Sequence, residues 1–278
     1  MVKAIFFDID GTLRGFNQKG ISDDTRHALD RARKAGIRLF IATGRHFLEV
    51  DSEDLLDGLE FDAYITLNGQ YCYEGTPGRP VIYKNPIPRS QIAILLKILE
   101  ETPFPCLFME AENWYLNFVD ERVIRVQDGI GTRIPPLGDP GQALEHDIYQ
   151  VIPYLNEKEA VRLAACLPEC GYTVWHDGEG VDLTPKGGGK CSGIREVIAR
   201  YGIKPEEMAA IGDGNNDVSM LAYAGIGIAM GNGTRKAIEA ADHVTGSVSE
   251  GGLAQAVDYL LSMQNSPLER GCEKMELI

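Results

Sequence analysis

The chain has 278 residues, enough for one large domain or two modest ones around a sizeable core, and its 44% hydrophobic and 24% charged content is that of an ordinary soluble globular protein. Asp and Glu outnumber Lys and Arg 41 to 27, a formal charge of −14. A field of that sign repels nucleic-acid backbones and anionic membrane surfaces, so neither is expected as a partner, and a small phosphorylated ligand would need a local cation in order to bind. Cysteines are scattered at 72, 106, 166, 170, 191 and 272. Cys166 and Cys170 are expected one helical turn apart, with no second pair or nearby His cluster to complete a zinc site. The N-terminal apolar run is too short for a secretion signal, and no stretch approaches the ~18 apolar residues of a membrane span, so a reducing cytoplasm is expected.

From Val2 to Phe7 the apolar run ended by Asp-Gly reads as a buried parallel strand with a loop at its carboxyl end. Ser22 is placed to cap a helix through Lys34, and Gly36 sits where a helix stops. Ile37 to Ala42 predicts a second buried strand ending in Thr43-Gly44-Arg45. A helix over His46 to Asp57 and a third strand over Ala63 to Leu67, ending at Asn68-Gly69, follow. This alternation implies a parallel sheet with right-handed crossovers.

The alternation breaks near Tyr71. Helices are predicted over Arg89–Glu101, Asp120–Gln127 and Glu157–Leu167, and strands over Cys106–Glu110, Trp114–Phe118, Ile148–Tyr154, Thr173–His176 and Gly180–Leu183. They describe an α+β insertion with its own sheet. Pro80, Pro86 and Pro88 punctuate its entry, and Pro185 with Gly187-Gly188-Gly189 its exit. The α/β rhythm resumes at Lys190 with a helix to Tyr201 and a strand over Met208–Ile211. A helix over Asn216–Ala224, a strand over Ile226–Ala229, a helix from Thr234, a strand near His243–Val244 and a helix from Leu253 complete it. The last dozen residues read as a loose polar tail.

Asp8 and Asp10 stand two apart at a strand end, so their carboxylates point to the same side of the sheet, at the edge where open α/β folds bind ligands. Paired carboxylates suit in-line displacement at phosphorus: one attacks, while the other protonates the departing oxygen and then activates water. A carboxylate and a phosphate repel by about 4 kcal/mol at ~4 Å and an effective dielectric of 20, a penalty that a divalent cation removes. The competing readings are a plain Asp-x-Asp-Gly turn or a calcium loop. The loop fails because its twelfth position, Lys19, is not Glu.

Gly212-Asp213-Gly214-Asn215-Asn216-Asp217 closes another predicted strand. Asp213 and Asp217 could complete an oxygen-ligand site, or could merely cap a helix. Four acids at strand ends would be unstable without a cation, which favours the metal. Thr43-Gly44-Arg45 offers a hydroxyl and backbone N–H groups to a phosphate. Lys190 opens a helix, where a cation is disfavoured, so another requirement could hold it there. Gly187-Gly188-Gly189-Lys190 is not a phosphate-binding P-loop, since Thr184 and Cys191 stand at two required positions. Gly225-Ile226-Gly227 lacks the third glycine and the context of a dinucleotide loop.

Taken in order, Asp8-Ile9-Asp10-Gly11-Thr12-Leu13, Ala42-Thr43-Gly44-Arg45, Lys190 and Gly212-Asp213-Gly214-Asn215-Asn216-Asp217 resemble the four motifs of the haloacid dehalogenase superfamily. The insertion between the second and third, with Asn68-Gly69, further resembles the Cof-type sugar-phosphatase branch with a C2-type (IIB) cap. The resemblance implies an α/β fold: a Rossmann-like parallel-sheet core over residues 1–81 and 187–278, with an α+β cap inserted over 82–186. It implies that Asp8 forms an aspartyl-phosphate and ligates Mg²⁺, and that Asp10 is the general acid/base with its backbone carbonyl on the metal. Thr43, Gly44 and Lys190 would hold the phosphate, Asp213 and Asp217 would complete the metal site, and Asn216 would support the phosphate. Arg45 and Asn68 would line the substrate path. The family commonly has a small residue directly before the third-motif Lys and Gly directly after it; Gly189 and Cys191 stand there, and Lys190 is preferred to Lys186 because a helix starts there.

The expected function is therefore Mg²⁺-dependent hydrolysis of phosphomonoesters of small metabolites, sugar phosphates first, by a cytoplasmic monomer or weak homodimer. A sugar-phosphate mutase and a non-catalytic phospho-ligand sensor are the alternatives; retention of both Asp8 and Asp10 argues against the sensor. The insertion is expected to act as a lid, with Glu110, Trp114, Tyr115, His176 and Asp177 as candidates for substrate selection.

Overall fold

The computed structural model describes residues 1–265 except 17, 19, 53, 131, 176 and 177. The expected tail, and His176 and Asp177 of the cap, lie outside the described residues.

The first half of the core runs β1 (Ala4–Phe7), α1 (Asp23–Lys34), β2 (Arg38–Ala42), α2 (Phe47–Ser52) and β3 (Ala63–Thr66). Ser22 caps α1 as expected, its hydroxyl accepting from the Thr25 N–H at 3.3 Å. α2 is a turn and a half rather than the predicted three turns. Asp54 and Asp57 take positive φ (46° and 53°), which ends helical propagation.

Two strands that the sequence pattern did not suggest, β4 (Tyr71–Glu74) and β5 (Val81–Lys84), pair antiparallel beyond β3. The core sheet therefore runs to Lys84, three residues past the expected 81/82 passage into the insertion. Next come α3 (Arg89–Glu101), β6 (Cys106–Met109), β7 (Trp114–Leu116), α4 (Glu121–Ile130), β8 (Gln150–Pro153), α5 (Glu157–Cys166), β9 (Cys170–Val174) and β10 (Val181–Pro185). Cys166 ends a helix and Cys170 begins a strand, so the two are not one helical turn apart; Leu167 and Pro168 end the helix between them. The chain closes with α6 (Lys190–Tyr201), β11 (Met208–Gly212), α7 (Val218–Tyr223), β12 (Ile226–Ala229), α8 (Arg235–Ala240), β13 (His243–Val244) and α9 (Gly252–Asn265).

The core sheet has eight strands in the order β13-β12-β11-β1-β2-β3-β4-β5, parallel from β13 to β3. Its strands are apolar on both faces because both are covered. Ile5, Phe7, Leu39 and Ile41 face α1 and α9, while Phe6, Phe40, Ala63 and Ile65 face α6 and α7. Phe6 and Phe40 stack with ring centroids 4.7 Å apart. The chain leaves β1 toward β2 on one side and returns through β11 on the other, so the carboxyl ends of β1, β2 and β11 meet at a topological switch point.

The insertion carries a separate antiparallel sheet in the order β7-β6-β8-β10-β9. One face, with Phe108, Tyr115, Val151 and Leu183, packs on α3 and α5. The other, with Leu107, Met109, Leu116 and Ile152, meets α4 and Leu67 of the core.

Candidate active site

Asp8 follows β1, Thr43 follows β2, Asp213 follows β11, and the helix α6 delivers Lys190 from the same edge. Lys190 is fully buried, and its Nζ donates to Asp8 Oδ1 (2.5 Å) and to Asp217 Oδ1 (2.6 Å). The other Asp217 oxygen accepts the N–H groups of Asp213 (2.9 Å) and Gly214 (2.8 Å). Asp217 thus holds Lys190 and the turn after β11 in place. Asp213 is held by Thr12 Oγ1 (3.3 Å) and by Asn232 Nδ2 (3.2 Å), which also donates to the Gly11 carbonyl at 2.9 Å.

Asp8, Asp213 and Asp217 each place a carboxylate oxygen within 4.8 Å of the others. Burial raises the Asp8 pKa well above its ordinary value; Lys190 opposes the shift, and Asp217 and Asp213 add to it. Burial, with the Asp217 charge, pushes Asp213 up to about 7. Burial alone would lower the Lys190 pKa, but Asp217 and Asp8 reverse the direction and keep it a cation. One lysine against three acids leaves uncompensated negative charge. That deficit and the all-oxygen donor set fit a divalent cation.

Gly11 is required where it stands. Its φ is +86°, and a Cβ there would lie 2.2 Å from Asp213 Oδ2. Gly11→Ala is expected to displace Asp213, to lower kcat/KM by about 100-fold, the scale of a 1 Å misplacement, and to weaken binding of a divalent cation, as read from kcat/KM across a divalent-cation titration.

Asp10 is oriented differently from Asp8. Arg45 grips it with two hydrogen bonds, Nε to Oδ2 at 2.8 Å and Nη2 to Oδ1 at 3.1 Å, and reaches Glu49 on the next helical turn at 3.1 Å. Burial would raise the Asp10 pKa, but the Arg45 charge and hydrogen bonds outweigh it and the group falls below its ordinary value. Arg45 does line the cavity, yet its guanidinium is committed to two carboxylates rather than to open space. The Thr43 hydroxyl accepts the Arg45 N–H at 3.1 Å and ties down the turn that contains Gly44.

Asn68 is not a lining residue. It and Leu67 adopt left-handed backbone (φ 52° each), and Asn68 is buried. Its Nδ2 donates to Gln150 Oε1 (3.1 Å) and Asp182 Oδ2 (2.9 Å), and its Oδ1 accepts from Asn216 Nδ2 (2.9 Å). Gln150 Nε2 and Trp175 Nε1 each donate to Asp182 Oδ1 at 3.0 Å. Burial pushes Asp182 up to about 6, against the hydrogen bonds from Trp175 and Asn68. The network joins the turn after β11 to two strands of the cap. A second link is His46, whose Nδ1 accepts the Leu48 N–H (3.0 Å), so that Nε2 carries the proton donated to the Glu110 carbonyl (2.9 Å). Burial lowers the His46 pKa to about 4 and keeps the ring neutral.

A cavity of about 520 Å³ lies between the acid cluster and the cap sheet, reached by Asp8, Asp10, Asp213 and Thr43 from below and by Trp114, Trp175 and Asp182 from above. Of the cap candidates, Trp114 lines it. Tyr115 faces the opposite side of the sheet, and the Glu110 carboxylate pairs with His146 at 3.0 Å. Sequence reasoning missed Asn232, although Gly231-Asn232-Gly233-Thr234 is another polar cluster at a strand end, the signal that found Asp8 and Asp213. Nothing local marked Glu49, Gln150 or Asp182.

A parallel sheet whose carboxyl edge gathers three acids and a buried lysine beneath an inserted cap defines a phosphoryl-transfer hydrolase. The chain belongs to the haloacid dehalogenase-like hydrolase family, whose model matches residues 5–257. It is accordingly an enzyme of the phosphoric monoester hydrolase class. The Bacillus subtilis protein YkrA is 36% identical over 262 residues, covering 93% of this chain and 97% of that one. The Escherichia coli pyridoxal phosphate phosphatase YbhA is 29% identical over 272 residues, covering 89% and 96%. Among solved structures, the HAD subclass IIB sugar phosphatase BT4131 superposes with a TM-score of 0.82 at 36% identity, covering 93% of this chain and 99% of that one.

Proposed function

We propose that this hydrolase is a Mg²⁺-dependent phosphatase of small-metabolite phosphomonoesters, acting through an aspartyl-phosphate on Asp8. The carrying observation is that Asp8 is held at 2.5 Å by a buried lysine and within 4.8 Å of two further acids, at the floor of a capped cavity. Asp8, Asp213 and the Asp10 carbonyl would hold the cation, with Asp217 beside them; bound Mg²⁺ would offset phosphate charge and polarise its oxygens. In the first half-reaction an Asp8 oxygen forms the bond to phosphorus while the bond to the leaving oxygen breaks, and that oxygen takes a proton from Asp10. In the second, water attacks phosphorus, Asp10 takes its proton, and phosphate departs from Asp8. The Arg45 pair lowers the Asp10 pKa and so suits the second role, while for the first Asp10 must enter the cycle carrying a proton. Thr43, Gly44 and Lys190 would position the phosphate, and Asn216 would brace the turn that carries Asp213.

The insertion, residues 82–186 with β5 shared by the core sheet, would act as the lid that excludes bulk water. No helix among the described residues is long and apolar enough to cross a membrane, and the five described cysteines are free thiols. The free thiols support work in a reducing cytoplasm. The test is phosphate release from a panel of phosphomonoesters. Release is expected with Mg²⁺, lost on chelation and restored by added Mg²⁺. Undiminished release from the chelated enzyme would overturn the metal assignment, and phosphate passed to a second sugar hydroxyl instead of appearing free would indicate a mutase.

A further inference from the structure

The turn between β12 and α8 carries no acid, yet its Asn232 reaches both of the turns that do. Nδ2 donates to Asp213 Oδ2 (3.2 Å), after β11, and to the Gly11 carbonyl (2.9 Å), after β1. Oδ1 accepts the Val248 N–H at 2.8 Å, which leaves the amide one orientation, nitrogen toward the acids. The side chain is exposed in the wall of the cavity, but both of its donors and its oxygen are spent on the protein itself. Its turn is also fastened to Asp213 through the backbone, because the Thr234 N–H donates to the Asp213 carbonyl at 2.8 Å.

These bonds bear on the two segments that would hold the cation. Thr12 Oγ1 donates to Asp213 Oδ1 at 3.3 Å, so that carboxylate receives one donor on each oxygen. Its plane is thereby fixed, and about two of its four acceptor positions stay open for a metal. At Gly11 the N–H donates to the Arg14 carbonyl at 2.7 Å; the peptide is trans, so the Asp10 carbonyl points the opposite way. Asn232 holds the Gly11 carbonyl, and with it the next peptide unit. Asp8 and Asp213 sit on different turns with carboxylate oxygens within 4.8 Å, where like charge pushes the turns apart. The Asn232 amide binds the same two turns together.

We propose that Asn232 is a positioning residue of the cation site: by tying Asp213 to the Gly11 carbonyl it sets the spacing of the two acid-bearing turns, and so the affinity for a divalent cation. The inference rests on the cation reading of the acid cluster. The test is calorimetric titration of Mg²⁺ and of Mn²⁺ into chelator-treated, substrate-free enzyme. Asn232→Ala is expected to weaken binding by about 10- to 100-fold, the usual cost of losing a partner that orients a metal ligand. At saturating Mg²⁺ its kcat should return to within about threefold of the parent, since the groups that would meet phosphate are unchanged. Glu250→Ala separates this role from simple loosening of the loop. Glu250 accepts from the Ser247 N–H (3.0 Å) and hydroxyl (2.7 Å), in the turn that supplies the Val248 N–H. That variant is expected to bind the cation within about threefold of the parent, because the Asn232 donors remain. Unchanged affinity in Asn232→Ala, or an equal loss in Glu250→Ala, overturns the inference and leaves the cation reading intact. A kcat that stays down by about 100-fold or more at saturating Mg²⁺ also overturns it, by placing Asn232 in the chemistry. A parent enzyme that binds neither cation overturns the cation reading itself.

Discussion

Replacing Asp8 by Asn is expected to lower phosphate release by at least about four orders of magnitude, as loss of a covalent nucleophile does, without lowering the melting temperature. The two halves follow from the same geometry. The amide would keep the shape of the side chain but lose the charge that attacks phosphorus. The same change removes one of three buried acids crowded within 4.8 Å, and Lys190 retains Asp217 at 2.6 Å. The folded state is therefore relieved of like-charge repulsion and is not left with an unpaired cation. Steady-state phosphate release and a melting scan on the same preparation check both halves. Undiminished turnover would sink the nucleophile assignment, and a large fall in melting temperature would contradict the electrostatic account.

Lys190→Met is the complementary case, in which stability as well as activity should fall. The side chain is fully buried and bonded to Asp8 and Asp217. Removing one partner of a buried pair costs about 3–5 kcal/mol, because it strands charge that the pair had compensated. At roughly 2–4 °C per kcal/mol for a chain of this size, the melting temperature should drop by about 10 °C. If a divalent cation binds the same acids, as proposed, Mg²⁺ should raise the melting temperature more in the variant than in the parent. Melting scans with and without Mg²⁺ read this directly. An equal Mg²⁺ response in both would mean that the cation and Lys190 do not share those carboxylates.

At the ends of β1, β2 and β11 the polar clusters were legible from local pattern, although the same signal after β12 was passed over. Asp8, Thr43 and Asp213 follow apolar runs whose periodicity specifies a buried parallel strand, and the fold places all such ends on one edge. Ser22 as a cap and Lys190 as the start of a helix were legible for the same reason. β4 and β5 were not, because Tyr71–Lys84 mixes aromatic, charged and turn residues on an antiparallel edge and lacks the continuous apolar run of the inner strands. The role of Asn68 was misread, because its partners Gln150 and Asp182 lie 82 and 114 residues away. Pairing over such distances is settled by strand register, and no local periodicity encodes it. Arg45 lines the cavity, and its pairing with Asp10 depends on a side-chain orientation across two strand ends.

The central claim is that phosphate passes through Asp8. Quenching the enzyme in mid-turnover with hydroxylamine, which converts an acyl phosphate to a hydroxamate, and mapping the product by peptide mass spectrometry tests it most directly. A hydroxamate at Asp8, formed only with substrate and Mg²⁺ present and absent in Asp8→Asn, is the predicted result. Turnover that proceeds with no modification at Asp8, or with the hydroxamate at another carboxylate, would contradict it.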